Sequence, residues 1–351
     1  IISLNYVAII QKKNKEIEME NLQEIANQMV LKGKGILAAD ESTPTCDKRF
    51  DSIGVEKNFN NRNEYRDLLF NTPDIEKYIS GVILFDETIR QSTTCGKSIP
   101  FTELLKSKGI IPGIKVDTGA KDFAGFKNEK ITEGLDGLRD RLKEYYEIGA
   151  RFAKWRAVIT IGETIPSDAC IHSNANGLAR YASLCQENGL VPIVEPEVLM
   201  DGSHTIEDCY DVSQRTLNVT FQQLIMHHVD LSGIVLKPNM IVSGSDCDTQ
   251  ADVDKVSELT FKCLKDNVPS DVPGIAFLSG GQSSDLATAH LNTMNKKYMS
   301  EMPWNLTFSY GRALQEDALK AWGGTNRSEG QEAFIFGART NSLATKGEAE
   351  V

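Results

Sequence analysis

Eight short apolar runs recur along the chain, separated by segments with helical spacing, and this alternation constrains the fold more than any other feature. The runs are GILAAD (35–40), GVILFDE (81–87), IPGIKVD (111–117), RFAKWRAV (151–158), LVPIVEPEV (190–198), GIVLKPNM (233–240), GIAFLSGG (274–281) and NLTFSYGR (305–312). Their largely apolar character is that of parallel strands covered on both faces. Between them, Leu135, Leu138, Leu142 and Tyr145 mark one helical face. NGLARYASLCQENG reads as a helix with Gly189 as its C-cap, and ADVDKVSELTFKCLKDNV as another. Successive strands begin about 30 to 46 residues apart, which predicts an α/β fold of one domain, a (β/α)8 TIM barrel. The rival, an open doubly wound sheet, would bring a glycine-rich fingerprint after an early strand, and GKGILAAD does not supply GxGxxG.

The first helix is expected to begin near Met19, with Leu22, Ile25, Met29 and Val30 on one face. Residues 1–18 read as an extension outside the fold, 19–346 as the barrel domain and 347–351 as a short C-terminal end. IISLNYVAII is too short to span a bilayer and lacks the basic flank of a signal peptide, and no other apolar run approaches that length. A net charge of −11 argues against a general nucleic-acid binder. Seven cysteines, an odd count with no CxxC pair, read as free thiols in a reducing, cytoplasmic compartment. The five histidines show no zinc-binding spacing, so no metal site is expected.

In such a barrel the active site lies at the carboxyl ends of the strands. Those ends carry Asp40–Glu41, Asp86–Glu87, Lys115, Lys154 with Arg156, Glu195 with Glu197, Lys237, Ser279–Gly280–Gly281, and Ser309, Gly311 and Arg312. One such residue is ordinarily a solvated or salt-bridged side chain. The set converging on one mouth is not. Residues two apart on a strand share a face, so Lys154 and Arg156 point together, as do Glu195 and Glu197. Burial and neighbouring cations would depress the pKa of Lys237, and a partly neutral amine attacks carbonyls. LSGGQS followed by SYGR places flexible backbone N–H groups and a guanidinium after the last two strands, where such barrels bind phosphate.

GKGILAADES, GIKVD, ARFAKWR, VPIVEPE, VLKPNM, FLSGGQS and TFSYGRAL together resemble class I fructose-bisphosphate aldolase, from about residue 20 to about 346. The resemblance implies reversible, metal-independent cleavage of fructose 1,6-bisphosphate to dihydroxyacetone phosphate and glyceraldehyde 3-phosphate, with no cofactor. It assigns the Schiff base to Lys237, proton shuttling to Glu195 with Glu197 beside it, deprotonation of the C4 hydroxyl to Asp40, and stabilisation of charged intermediates to Lys154. It gives the C1 phosphate to Ser279, Gly280, Ser309, Gly311 and Arg312. The other phosphate end falls to Lys115, Ser42 and Arg49, with Glu41 and Arg156 close by. Arg62 matches a further family arginine, although on an amphipathic helix a structural salt bridge is an equal reading.

Two stretches depart from the family pattern. Pro44, Thr45 and Cys46 vary a loop near the second phosphate, and the end NSLATKGEAEV lacks the tail tyrosine of many eukaryotic members. The resemblance also implies a homotetramer. Rival readings are another Schiff-base sugar-phosphate aldolase, or an additional scaffold role toward actin filaments or adhesin tails.

Overall fold

A computed structural model describes residues 22–350; the expected extension over 1–18, Met19 and the final residue lie outside them. Eight parallel strands close into a barrel: β1 (Gly35–Ala39), β2 (Ile79–Leu84), β3 (Ile111–Lys115), β6 (Phe152–Ile159), β7 (Val191–Val198), β8 (Val235–Leu236), β9 (Gly274–Phe277) and β10 (Asn305–Tyr310). β10 pairs with β1 and completes the ring. Each strand lies within or overlaps one of the eight apolar runs. The remaining two, β4 (Ala120–Asp122) and β5 (Lys130–Thr132), form an antiparallel hairpin outside the barrel. Three-residue strands are too short to show an alternation, and the sequence reading did not find them.

Strand alternation sorts the interior into layers. Ile36, Ile83, Phe152, Val191, Ile193, Val235 and Ala276 form an inner apolar cluster. Leu22, Ala26, Met29 and Val30, from the first helix and its end, join that cluster, so the helix plugs the amino end of the barrel. The intervening residues Leu37, Ala39, Ala153, Trp155, Ala157 and Val194 pack outward with the helices. A Cβ on Gly113 would come within 2.2 Å of the Phe152 ring, so glycine lets that ring fill the barrel floor. With the lower layer apolar and sealed, the next inward positions along β1, β6 and β7 are Asp40, Lys154 and Glu195. The fold therefore puts its charges at one end.

The helix over Leu138–Ile148 buries Leu138, Leu142 and Tyr145, while Leu135 lies before it. The next helix begins at Asp168, where Ser167 accepts from the Cys170 N–H. It runs to Glu187, and Gly189, with φ +72°, follows one residue past the cap Asn188. Among the described residues no helix is long and apolar enough to cross a membrane, and all seven cysteines are free thiols.

Candidate active site

Lys237 follows β8 directly. Its backbone N–H donates to the Val194 carbonyl at 2.8 Å, and Pro238, which has no N–H, ends the pairing. The ammonium lies 3.2 Å from Glu195 Oε1. The other Glu195 oxygen lies 2.9 Å from Lys154 Nζ, which also reaches Asp40 Oδ2 at 3.0 Å. Lys154, Glu195 and Lys237 are buried, and Asp40 is nearly so.

The two lysines share this cluster unequally. Burial opposes the charge of Lys154, but Asp40, Glu195 and Asp117 outweigh it and hold the ammonium well above the ordinary lysine range. Burial likewise opposes the charge of Lys237; Glu195 counteracts it, Lys154 adds to it, and the amine ends below its ordinary value. Burial would raise Asp40, yet Lys154, Lys237 and Lys115 together hold it well below the usual carboxylate range. Glu195 is lowered in the same way, against burial, by Lys154, Lys237 and Arg156. One lysine is thus held as a cation, and the other gives up its proton more readily than an ordinary lysine. The lowering of Lys237 has the direction and the leading cause, burial, expected from the sequence, with Lys154 as the neighbouring cation that adds to it.

Farther out, Arg156 pairs with Glu197, and Lys115 lies 3.3 Å from the buried side chain of Asp117. Glu41 accepts from Arg49, from Arg66 Nη2 at 2.7 Å and from Gln315 Nε2 at 2.9 Å. Burial would raise the Glu41 carboxyl, but Arg66 and Arg49 bring it below its ordinary value. Arg66 is itself buried. Arg66→Met should leave Glu41 undercompensated and cost about 3–5 kcal/mol in urea denaturation. A loss under about 1 kcal/mol, as for an exposed pair, would show that Arg49 and Gln315 suffice.

These groups line a cavity of about 840 Å³ at the carboxyl rim. The turn after β9 carries Ser279, Gly280 and Gly281, the glycines at φ +57° and +91°. A Cβ on Gly281 would approach Arg312 Nη2 to 3.2 Å and Met200 Sδ to 3.1 Å, so the turn stays open beside the guanidinium. The buried Ser309 Oγ has no partner among the described residues.

The cavity brings together every site residue singled out in the sequence except Arg62, Asp86 and Glu87. The Arg62 side chain forks onto Glu87 with two contacts of 2.8 Å and reaches Asp47 at 3.0 Å, so the salt-bridge reading describes it. Asp86 and Glu87 do not reach the mouth either. β2 stops at Leu84 and the chain turns into a short helix over Asp86–Ile89. Asp86 then accepts from Tyr145 Oη at 2.8 Å and from Arg90. Sequence reasoning missed Lys48 and Asp117 on the cavity wall, which Thr45, of the loop that departs from the family pattern, also lines. Asp117 was legible, two residues after Lys115 in GIKVD; Arg66 and Gln315, on outer helices, left no signal.

A closed parallel barrel with an amine, a fixed cation and two carboxylates at its carboxyl rim defines an enzyme for carbonyl chemistry on an anionic substrate. Residues 21–350 match the family model described as fructose-bisphosphate aldolase class-I. The chain is 54% identical over 335 residues to a probable fructose-bisphosphate aldolase class 1 of Xanthomonas axonopodis pv. citri, covering 95% of this chain and 99% of that one. It is also 54% identical to the cytosolic fructose-bisphosphate aldolase 4 of Arabidopsis thaliana, over 91% of this chain and 82% of that protein. The aldolase of Plasmodium falciparum, solved in complex with TRAP and a small-molecule inhibitor, superposes with a TM-score of 0.93 at 48% identity, over 95% of this chain and 96% of that one. The chain belongs to the class I fructose-bisphosphate aldolase family.

Proposed function

We infer that this chain cleaves fructose 1,6-bisphosphate reversibly to dihydroxyacetone phosphate and glyceraldehyde 3-phosphate through a Schiff base on Lys237. The observation that carries this reading is the unequal lysine pair, with Lys237 lowered in pKa and 3.2 Å from Glu195. Neutral Lys237 attacks the C2 ketone and gives a carbinolamine. Glu195, having taken the proton of the Lys237 ammonium 3.2 Å away to free the amine, returns it to the carbinolamine hydroxyl, which leaves as water, and an iminium remains. Asp40 takes the proton of the C4 hydroxyl, the C3–C4 electron pair passes into the iminium, and glyceraldehyde 3-phosphate departs. The enamine left on Lys237 is protonated at C3 and hydrolysed to dihydroxyacetone phosphate. Lys154, kept charged, steadies the anionic oxygens, and Glu197 sits against Arg156 at the edge of this group.

Basic groups at both ends of the cavity favour a bisphosphate over a single-phosphate substrate. Ser279, Gly280, Ser309, Gly311 and Arg312 would take the C1 phosphate through N–H, hydroxyl and guanidinium donors. Ser42, Arg49 and Lys115, with Glu41 and Arg156 alongside, would take the C6 phosphate. The test is cleavage by the purified protein, with both triose phosphates as products; no cleavage overturns the reading. Lys115→Ala should raise KM for fructose 1,6-bisphosphate about 10-fold and leave that for fructose 1-phosphate within about two-fold. Equal losses on both substrates would remove Lys115 from the distal subsite.

The same reading extends to a cytoplasmic homotetramer with an adhesin tail or actin as a second class of partner. The TRAP complex of the Plasmodium relative supports the adhesin tail, and the exposure of Ile225, Met226 and Phe336 leaves apolar surface for association. Analytical ultracentrifugation showing a monomer at micromolar concentration would contradict the tetramer.

A further inference from the structure

Behind the turn after β9 lies a buried amide–imidazole pair that the chemistry above does not use. The Gln282 side chain, 9% exposed, donates from Nε2 to the Ser279 carbonyl at 3.1 Å. The Gln282 backbone N–H reaches the same carbonyl at 3.0 Å. Gln282 Oε1 lies 2.6 Å from Nδ1 of His290, a residue of the helix Ser284–Tyr298 that is only 4% exposed. An amide oxygen accepts and does not donate, so this contact requires the proton on Nδ1. His290 Nε2 meets no partner among the described residues.

We propose that His290 is a positioning residue for phosphate recognition, holding the Gln282 amide in the one orientation that lets it clamp the Ser279 carbonyl. A side-chain amide presents oxygen or nitrogen almost interchangeably in shape. Turned the other way, its oxygen would face the Ser279 carbonyl oxygen and repel it. That rotation would also require the imidazole proton on Nε2, which meets no acceptor among the described residues. The clamp is needed because two left-handed glycines, Gly280 and Gly281, leave the turn free to move. Backbone N–H groups bind an anion well only when they are already aimed at it. Burial holds the imidazole down at about 4, so the ring stays neutral and the clamp is constant through physiological pH.

This inference rests on the reading that the Ser279–Gly281 turn and Arg312 hold the C1 phosphate. The probe is dihydroxyacetone phosphate, trapped by borohydride as a function of concentration, with unphosphorylated dihydroxyacetone as the comparison. His290→Leu is expected to weaken dihydroxyacetone phosphate about 5- to 10-fold, leave dihydroxyacetone within about two-fold and keep kcat within about two-fold. His290→Asn, whose Nδ2 can stand in for Nδ1, should restore the affinity. Arg312→Ala tests the underlying site. If Arg312→Ala weakens the phosphate ester and His290→Leu does not, the inference is overturned and the phosphate site stands. If neither weakens it, the phosphate reading falls and takes the inference with it. Equal weakening of both ketones by His290→Leu would mark a general packing defect and overturn the positioning role. Should His290→Leu fail to fold, Gln282→Met removes the amide at similar length and carries the same expectations; unchanged affinity for the phosphate ester there is equally overturning.

Discussion

Lys237→Met is expected to lower kcat for cleavage of fructose 1,6-bisphosphate by at least about 10⁵-fold, because every later step proceeds from the bond this amine forms. No neighbour can replace it. Lys154 is the other buried amine among the described residues, but Asp40 and Glu195 flank it at 3.0 and 2.9 Å and hold it as a cation. The substitution should be tolerated structurally, since methionine fills a similar space and Glu195 keeps its contact with Lys154. Substrate affinity should fall much less than kcat, because the cations proposed to bind the phosphates are untouched. Steady-state kinetics on the folded variant decide it. Residual activity above about 1% would mean that Lys237 is not the nucleophile.

Asp40→Asn should cost about 10²- to 10⁴-fold in kcat, the range for a lost general base. The expected signature is selective. Schiff-base formation does not use Asp40, so dihydroxyacetone phosphate should still be trapped on Lys237 while C3–C4 cleavage stalls. The acid limb of the pH profile should not belong to Asp40 either. A carboxyl held below its ordinary value stays ionised above that value and is lost as a base only when pH falls through the lowered one, below about 4. Its stabilising contribution follows the same sign and is fully present at neutral pH. Single-turnover cleavage, measured beside trapping, checks both points. If trapping falls in parallel with cleavage, Asp40 acts before the bond breaks and its assignment is wrong.

The barrel was legible because strands buried on both faces leave runs such as GIVL and GVILF, and because charges placed inside such runs must share a mouth. Alternation carried the reading further, to the pairing of Lys154 with Arg156 and of Glu195 with Glu197. It failed where a run outlasts its strand. GVILFDE is apolar as far as Phe85, yet β2 ends at Leu84 and the following turn carries Asp86 and Glu87 away to Arg90 and Arg62. It also failed for groups that reach the site from elsewhere. Arg66 lies on the helix Phe59–Phe70, Gln315 on Arg312–Trp322 and His290 on Ser284–Tyr298. Each acts through a tertiary contact with no local spacing to announce it. The hairpin of β4 and β5 was hidden by its length.

Borohydride reduction in the presence of dihydroxyacetone phosphate, followed by peptide mass mapping, addresses the proposed chemistry most directly. Reduction converts the iminium to a stable secondary amine, so the modified peptide reports which lysine formed it. The expected result is one adduct, on the peptide containing Lys237, with Lys154 and Lys115 unmodified and with the yield unchanged by EDTA. An adduct on Lys154, or no adduct from an enzyme that still turns over and that EDTA inactivates, would contradict a Schiff base at Lys237.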